Sequence, residues 1–322
     1  MKPILSALTI ALAISVTPAA HAQTYPNGPV TLIVPYPPGG QIDSLARMVQ
    51  QKIQPALGQP VVVENRPGAN GNIAAQHVKA AAPDGHTLLM LSSSTFTLNP
   101  FVLDRVPFDP EKDFVPVAMT AGLNMVLVAG QGIKATTLAE LVAAMKARPG
   151  ELNYGSSGNG SLPQVAAELL AIRTGTRATH VPYKGIAPAL NDLLAGQIDF
   201  MFDSGTAMSH IQAGKLRALA VIGPNRLPIF PDVPTFKEAG VDGMEVAAGW
   251  HGIFAPAGTD PAIVDRLNAE INKSLQSAAM RERMNGMGFE SVALPAAELG
   301  RALHQDLQRL GPIVKQAGIT AY

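Results

Sequence analysis

Short β-branched runs alternate along this chain with longer stretches in which apolar residues recur every third or fourth position. The first pair is Val30-Thr31-Leu32-Ile33-Val34 and, beyond a turn, Ile42, Leu45, Ala46, Val49, Ile53, Ala56 and Leu57. That spacing predicts a buried strand followed by a helix packed on one face. The same reading predicts strands at 60–63, 87–91, 152–154 and 198–202, another ending near 180–185, and one at 218–222. Helices are predicted to open at Ile73, Leu138, Leu162, Pro188 and Pro261, with a last one near 296–316 that reads as peripheral. Thr137 with Glu140, and Ser161 with Gln164, have the spacing of capping boxes. Residues 115–129 and 246–254 read as the segments that cross between two halves. Alternating strands and helices predict an α/β fold of open, mostly parallel sheets, whose ligands sit beyond the carboxyl ends of the strands.

Four loops follow predicted strands and lack bulk. Pro35-Tyr36-Pro37-Pro38-Gly39-Gly40 leads into a helix carrying Asp43. Gly155-Ser156-Ser157-Gly158-Asn159-Gly160 leads into Ser161-Leu162-Pro163-Gln164 in the same way. The first amides of a helix have no intrahelical partner and carry partial positive charge, so each junction offers an anion site. The alternative is that Asp43 and solvent satisfy the first junction. Ser92-Ser93-Ser94-Thr95 is a row of hydroxyls that suits a carboxylate, a carbonyl or water, or else a turn that caps its own backbone. Asp203-Ser204-Gly205 ends a strongly apolar strand. If these loops belong to two lobes, they face one another across a cleft.

Composition narrows the classes. Lys2, the apolar run Ile4 to Val16 and Ala20-His21-Ala22 have the pattern of a secretory signal peptide over residues 1–22, cleaved after Ala22. The run is shorter than the about 20 residues of a spanning helix. With no cysteine, the exported chain is held by its core, and a 47% hydrophobic composition with 15% charged residues suits that. Basic and acidic residues number 24 each, so losing Lys2 leaves the mature chain one charge negative. No basic face advertises nucleic acid. The histidines form no close metal-binding pair, no Gly-x-Ser-x-Gly elbow occurs, and the Gly155–Ser161 loop lacks the lysine of a phosphate loop. No catalytic residue, cofactor or metal is assigned.

Several motifs then occur in one order. They are Val34-Pro35-Tyr36-Pro37-Pro38-Gly39-Gly40 with Asp43 and Ala46-Arg47, then Glu64-Asn65-Arg66-Pro67-Gly68-Ala69 with Gly71, and then Pro83-Asp84-Gly85-His86-Thr87-Leu88-Leu89. Gly155 to Ser161, His180-Val181-Pro182-Tyr183-Lys184-Gly185 and Pro188-Ala189-Leu190 follow. This set resembles the Bug family of extracytoplasmic solute receptors, similar to the solute-binding component of tripartite tricarboxylate transporters, over almost all of the mature chain.

The resemblance implies a two-lobed periplasmic binding protein of the Venus flytrap, type II-like kind, without enzymatic activity, closing on a small carboxylate and handing it to integral membrane transporter subunits. The lobes would be 23–124 with 250–322, and 125–249, with the terminal helices bridging, and the protein would be a monomer. Carried over to this sequence, Tyr36, Gly39, Gly40 and Asp43 form the first ligand-binding set. Ser157, Asn159, Gly160 and Ser161 form the second, with Ser92, Ser94, Thr95, Tyr183 and Asp203 lining the middle. Gln164 stands where some members have histidine. Asp43 would repel a carboxylate at its own helix start unless it meets another ligand group or acts through water. Lys184 is the nearest candidate cation, so selectivity is expected to rest on dipoles and shape. Two other readings remain: an exported hydrolase using Asp203 or a loop serine, and a periplasmic sensor.

Overall fold

The structure, a computed structural model, describes residues 25–320. The first part runs β1 (Val30–Val34), α1 (Gln41–Leu57), β2 (Val61–Asn65), α2 (Asn72–Lys79), β3 (Thr87–Ser92), α3 (Ser93–Thr97), α4 (Asn99–Val102) and β4 (Phe114–Leu123). Asn124 alone separates β4 from β5 (Met125–Ala129). Then come α5 (Leu138–Ala147), β6 (Asn153–Ser156), α6 (Leu162–Thr174), β7 (Thr179–Pro182), α7 (Ile186–Leu194), β8 (Phe200–Asp203), α8 (Met208–Gln212) and β9 (Arg217–Ile222). The chain returns through β10 (Gly249–Pro256) and ends in α9 (Pro261–Leu275), α10 (Ala278–Gly286), β11 (Phe289–Ser291) and α11 (Ala296–Ala317). The expected leader, residues 1–22, lies outside the described residues.

The strands form a six-stranded sheet, β11-β4-β10-β3-β1-β2, and a five-stranded sheet, β7-β6-β8-β5-β9. The α/β architecture with a sheet in each half stands, but the sheets are mixed rather than mostly parallel. β1 pairs in parallel with β2 and β3, and β6 with β7 and β8. β10 runs antiparallel to β3 and β4, and β5 antiparallel to β8 and β9. Apolar periodicity reports which face is buried and not which way a strand points, and β5 and β10 each enter their sheet from the opposite half.

Alternation along β1 sends successive side chains to two cores. Leu32 packs with α1 and α9 through Leu45, Val49 and Leu267, whereas Ile33 packs with Phe96 and Phe254 on the other face. α1 is set by an extended Gly40 at its N-cap and a left-handed Gly58 (φ 69°) at its C-terminus. Two capping details depart from the expected boxes. Glu140 reaches back to the amide and hydroxyl of Thr136 rather than to the Thr137 amide, although Thr137 does cap α5. Gln164 accepts from the Gly160 amide at 2.8 Å, while Ser161 makes no cap bond. In each case the longer side chain reaches one residue further upstream, so the reciprocal pair is broken.

α11 is not peripheral. Leu299 and Leu303 near its start join the core beside the six-stranded sheet, whereas Leu310 and Val314 join the core of the five-stranded one. A single apolar stripe thereby ties both halves, which the stripe's spacing alone could not reveal. The indole Nε1 of Trp250 in β10 donates to Asp306 of α11 at 2.8 Å. Burial pushes the Asp306 carboxyl up from 3.8 to about 6, against the pull of the indole bond and Arg309. The folded state therefore holds this proton more tightly than the unfolded chain does. The contribution is complete below about pH 4 and is lost as pH rises through about 6. Asp306→Asn, which keeps an acceptor for the indole, is expected to flatten the stability loss between those pH values by on the order of 1–3 kcal/mol. Urea unfolding at both ends of the window measures it, and an unchanged slope would contradict the assignment.

Candidate functional site

The carboxyl ends of β1, β3, β6 and β8 converge on a cavity of about 430 Å3 between the two sheets. On the side of the six-stranded sheet Tyr36, Ser92, Ser94 and Thr95 line it; on the other, Ser157, Asn159, Gly160 and Ser161. Eight of the thirteen residues singled out from the sequence are thus brought together. The hydroxyls of Tyr36 and Thr95 lie 3.4 Å apart, and Thr95 Oγ1 donates to the Asn70 carbonyl at 3.3 Å. Gly160 has φ +72°, and a Cβ there would come within 2.9 Å of Val102 in α4, so this loop closes directly onto the opposite half.

The other five lie off the cavity wall. Gly39 and Gly40 are exposed, and the next residues, Gln41 and Ile42, line the cavity instead. Asp43, 2% exposed, accepts from the Gly39 amide at 2.9 Å, Arg47 Nε at 3.0 Å and Asn65 Nδ2 at 2.9 Å. Burial would raise its carboxyl, but the bonds from Arg47, Gly39 and Asn65 outweigh that and hold it below the ordinary carboxylate range. Tyr183 donates to Asp192 at 2.6 Å, and burial with that partner pushes its phenol up to about 12. Gly185 and Ile186 take its place at the wall. Asp203 is fully buried and accepts from the Gly205 and Ala207 amides at 2.8 and 2.9 Å and from the Thr206 hydroxyl. Its neighbour Ser204 reaches the cavity.

Sequence reasoning missed Asn70, Asn99 and His251, and an apolar patch of Leu123, Met125 and Leu162. Asn70 falls inside the Gly/Asn loop that holds the Glu64–Gly71 motif without being marked as a cavity residue, Asn99 lies in no motif, and an isolated histidine such as His251 reads from the sequence as a structural residue. His251 is 3% exposed, and burial pushes its imidazole down to about 3, so the ring is neutral. No Lys, Arg, Asp or Glu lines the cavity among the described residues, and Lys184 is absent from the wall.

The polar groups of this wall are neutral hydrogen-bonding groups. Its donors are hydroxyls, amides and the open start of α6, a helix with no acidic residue in its first turn. The hydrolytic constellation does not assemble: Asp203 is committed to three hydrogen bonds, and among the described residues no group of His, Asp and Glu could hold a metal ion. Ser156 Oγ lies 2.7 Å from His180 Nε2, but it also bonds the Gly158 carbonyl and amide, and Ser156 is fully buried off the cavity wall.

Known proteins share this chain's sequence and fold. The family described as tripartite tricarboxylate transporter family receptor matches residues 45–319. Protein BugT of Bordetella pertussis is 39% identical over 299 residues, which cover 92% of this chain and 91% of that one. The structure of Rpa4515 from R. palustris with adipate has a TM-score of 0.81 at 35% identity, covering 92% of this chain and 99% of that chain. MatC from Rhodopseudomonas palustris with bound malate gives 0.77 at 33% identity, covering 90% of this chain and 100% of that chain. With a match over most of its length and relatives of this identity, the chain belongs to the tripartite tricarboxylate transporter receptor family, the Bug-type periplasmic solute-binding proteins.

Proposed function

We propose that this chain captures a small carboxylate between two hinged lobes, 23–124 with 250–322 and 125–249, and delivers it unchanged to integral membrane subunits of a tripartite tricarboxylate-type transporter. Removal of residues 1–22 after export belongs to the same reading. The observation that carries it is the start of α6, free of any acidic side chain in its first turn and opening into a wall of neutral donors. Backbone dipoles at a helix start stabilise an anion without a fixed cation, and hydroxyls add hydrogen bonds that orient it. The adipate and malate in the two structures above are small carboxylates of the kind this wall suits. A receptor must release its cargo, and an anchor of dipoles without ion pairs allows release when the lobes part. The proposal is one of binding and release, since among the described residues no serine of the wall is hydrogen-bonded to His251.

Three outcomes test it. A panel of small mono- and dicarboxylates is expected to include at least one that raises the melting temperature of the mature protein; a flat panel contradicts the reading. Affinity for that ligand is expected to change by less than about threefold between about 50 and about 500 mM salt, because no exposed ion pair holds it, and a steep loss would point to a cation instead. Gly160→Ala places a Cβ against Val102 at a left-handed backbone position. By calorimetry it is expected to weaken binding by about tenfold or more, and unaltered affinity would show that this loop does not close on the opposite half.

A further inference from the structure

The two helix starts at the cavity are not equivalent. The α1 start already holds an anion, because Asp43 in its first turn accepts from the Gly39 amide and is ion-paired with Arg47. The α6 start holds none, and its N-cap hydroxyl, Ser161 Oγ, is buried without a partner. A carboxylate is therefore best placed at α6, with the remainder of the ligand directed toward the six-stranded sheet.

At that far side most polar groups are already paired. Ser94 Oγ donates to Ser92 Oγ at 3.5 Å, and Asn99 Nδ2 donates to the Asn70 carbonyl at 3.0 Å and to Asn72 at 2.7 Å. His251 is the exception. It belongs to the cavity wall, is 3% exposed, and its Nδ1 has no hydrogen-bond partner. Its position is fixed, since the ring stands edge-on to Phe289 at 5.1 Å and its carbonyl accepts from Thr120 Oγ1 at 3.1 Å. A buried polar atom without a partner is costly, so a ligand atom that pairs with it gains affinity and specificity together. The ring is neutral, so it suits a hydroxyl or carbonyl and offers no charge to a second carboxylate. Leu123, Met125 and Leu162 supply apolar surface for the part between.

We propose that His251 determines the specificity of this cleft by hydrogen bonding through Nδ1 to the uncharged end of the ligand, which is a small monocarboxylate bearing a hydroxyl or carbonyl remote from its carboxylate. The inference rests on the carboxylate-receptor reading above. A dicarboxylate would bring its second charge toward a wall that, among the described residues, carries no cation.

The test is calorimetric titration of the mature protein with three matched series of about four to six carbons: ω-hydroxy acids, plain fatty acids and α,ω-diacids. The best ω-hydroxy acid is expected to bind about tenfold tighter than the plain acid and the diacid of equal length. His251→Phe is expected to bring the hydroxy acid down to the level of the plain acid, whose own affinity changes by less than about threefold, and His251→Gln to restore part of the difference. A diacid that binds the unaltered protein as tightly as its hydroxy acid overturns the inference and leaves the receptor reading intact. So does a His251→Phe variant that weakens plain and hydroxy acids alike. Should no member of any series bind the unaltered protein, the receptor reading falls with it. The ligand comparison on the unaltered protein decides the matter even if a variant misfolds.

Discussion

A helix start can neutralise one anion, and whichever carboxylate reaches it first decides what the helix can do. In α1 that carboxylate is internal: Asp43 sits in the first turn, binds the Gly39 amide ahead of the N-cap and is held by Arg47 and Asn65, so the Pro-Gly-Gly loop is stiffened and a negative charge already stands beside the helix start. In α6 the equivalent position carries Gln164, which ties down the Gly160 amide in the same way but with a neutral side chain. On the proposal above, the first helix is scaffold and the second is receptor. The proposed orientation of the ligand by one end rests on that difference, together with a cavity wall that carries no Lys, Arg, Asp or Glu among the described residues and an opposite wall whose polar groups are mostly paired with one another.

Much of this was legible in the residues. β-branched runs with turn residues behind them gave the strands, three-and-four spacing gave the helices, and Gly/Ser loops marked the sheet edges where the cavity lies. Eight residues named from those loops do line it. What escaped reading depends on partners distant in sequence. Asp43 looks like a ligand residue until Asn65, twenty-two positions away, is seen to bind it. Asp203 looks like a base until three donors of its own loop surround it. His251 lies in β10, where every position is buried, so no alternation distinguishes the face that meets the cavity. Strand direction and the two-core packing of α11 are likewise properties of the assembled sheets.

The division of labour between anchor and reader has a consequence for how such receptors vary. In the proposal the anchor is backbone and one hydroxyl at α6, whereas the reader sits on β10, the strand by which the chain returns to the six-stranded sheet. A substitution on β10 can change which ligand tail is accepted while leaving the carboxylate anchor untouched. α11 stands behind this strand, joined to it by the Trp250–Asp306 bond and packed into both cores. The proposed tail recognition, the packing of α11 into both cores and the return of the chain are therefore concentrated in one place.

The central claim is that α6, and not α1, holds the ligand's charge. A crystal structure of the mature protein with a bound small carboxylate tests it most directly. The account expects carboxylate oxygens within about 3 Å of Ser161 Oγ and of the first free amides of α6. A carboxylate seated on the amides that follow Gly39 and Gly40, with the α6 start left to water, would contradict it.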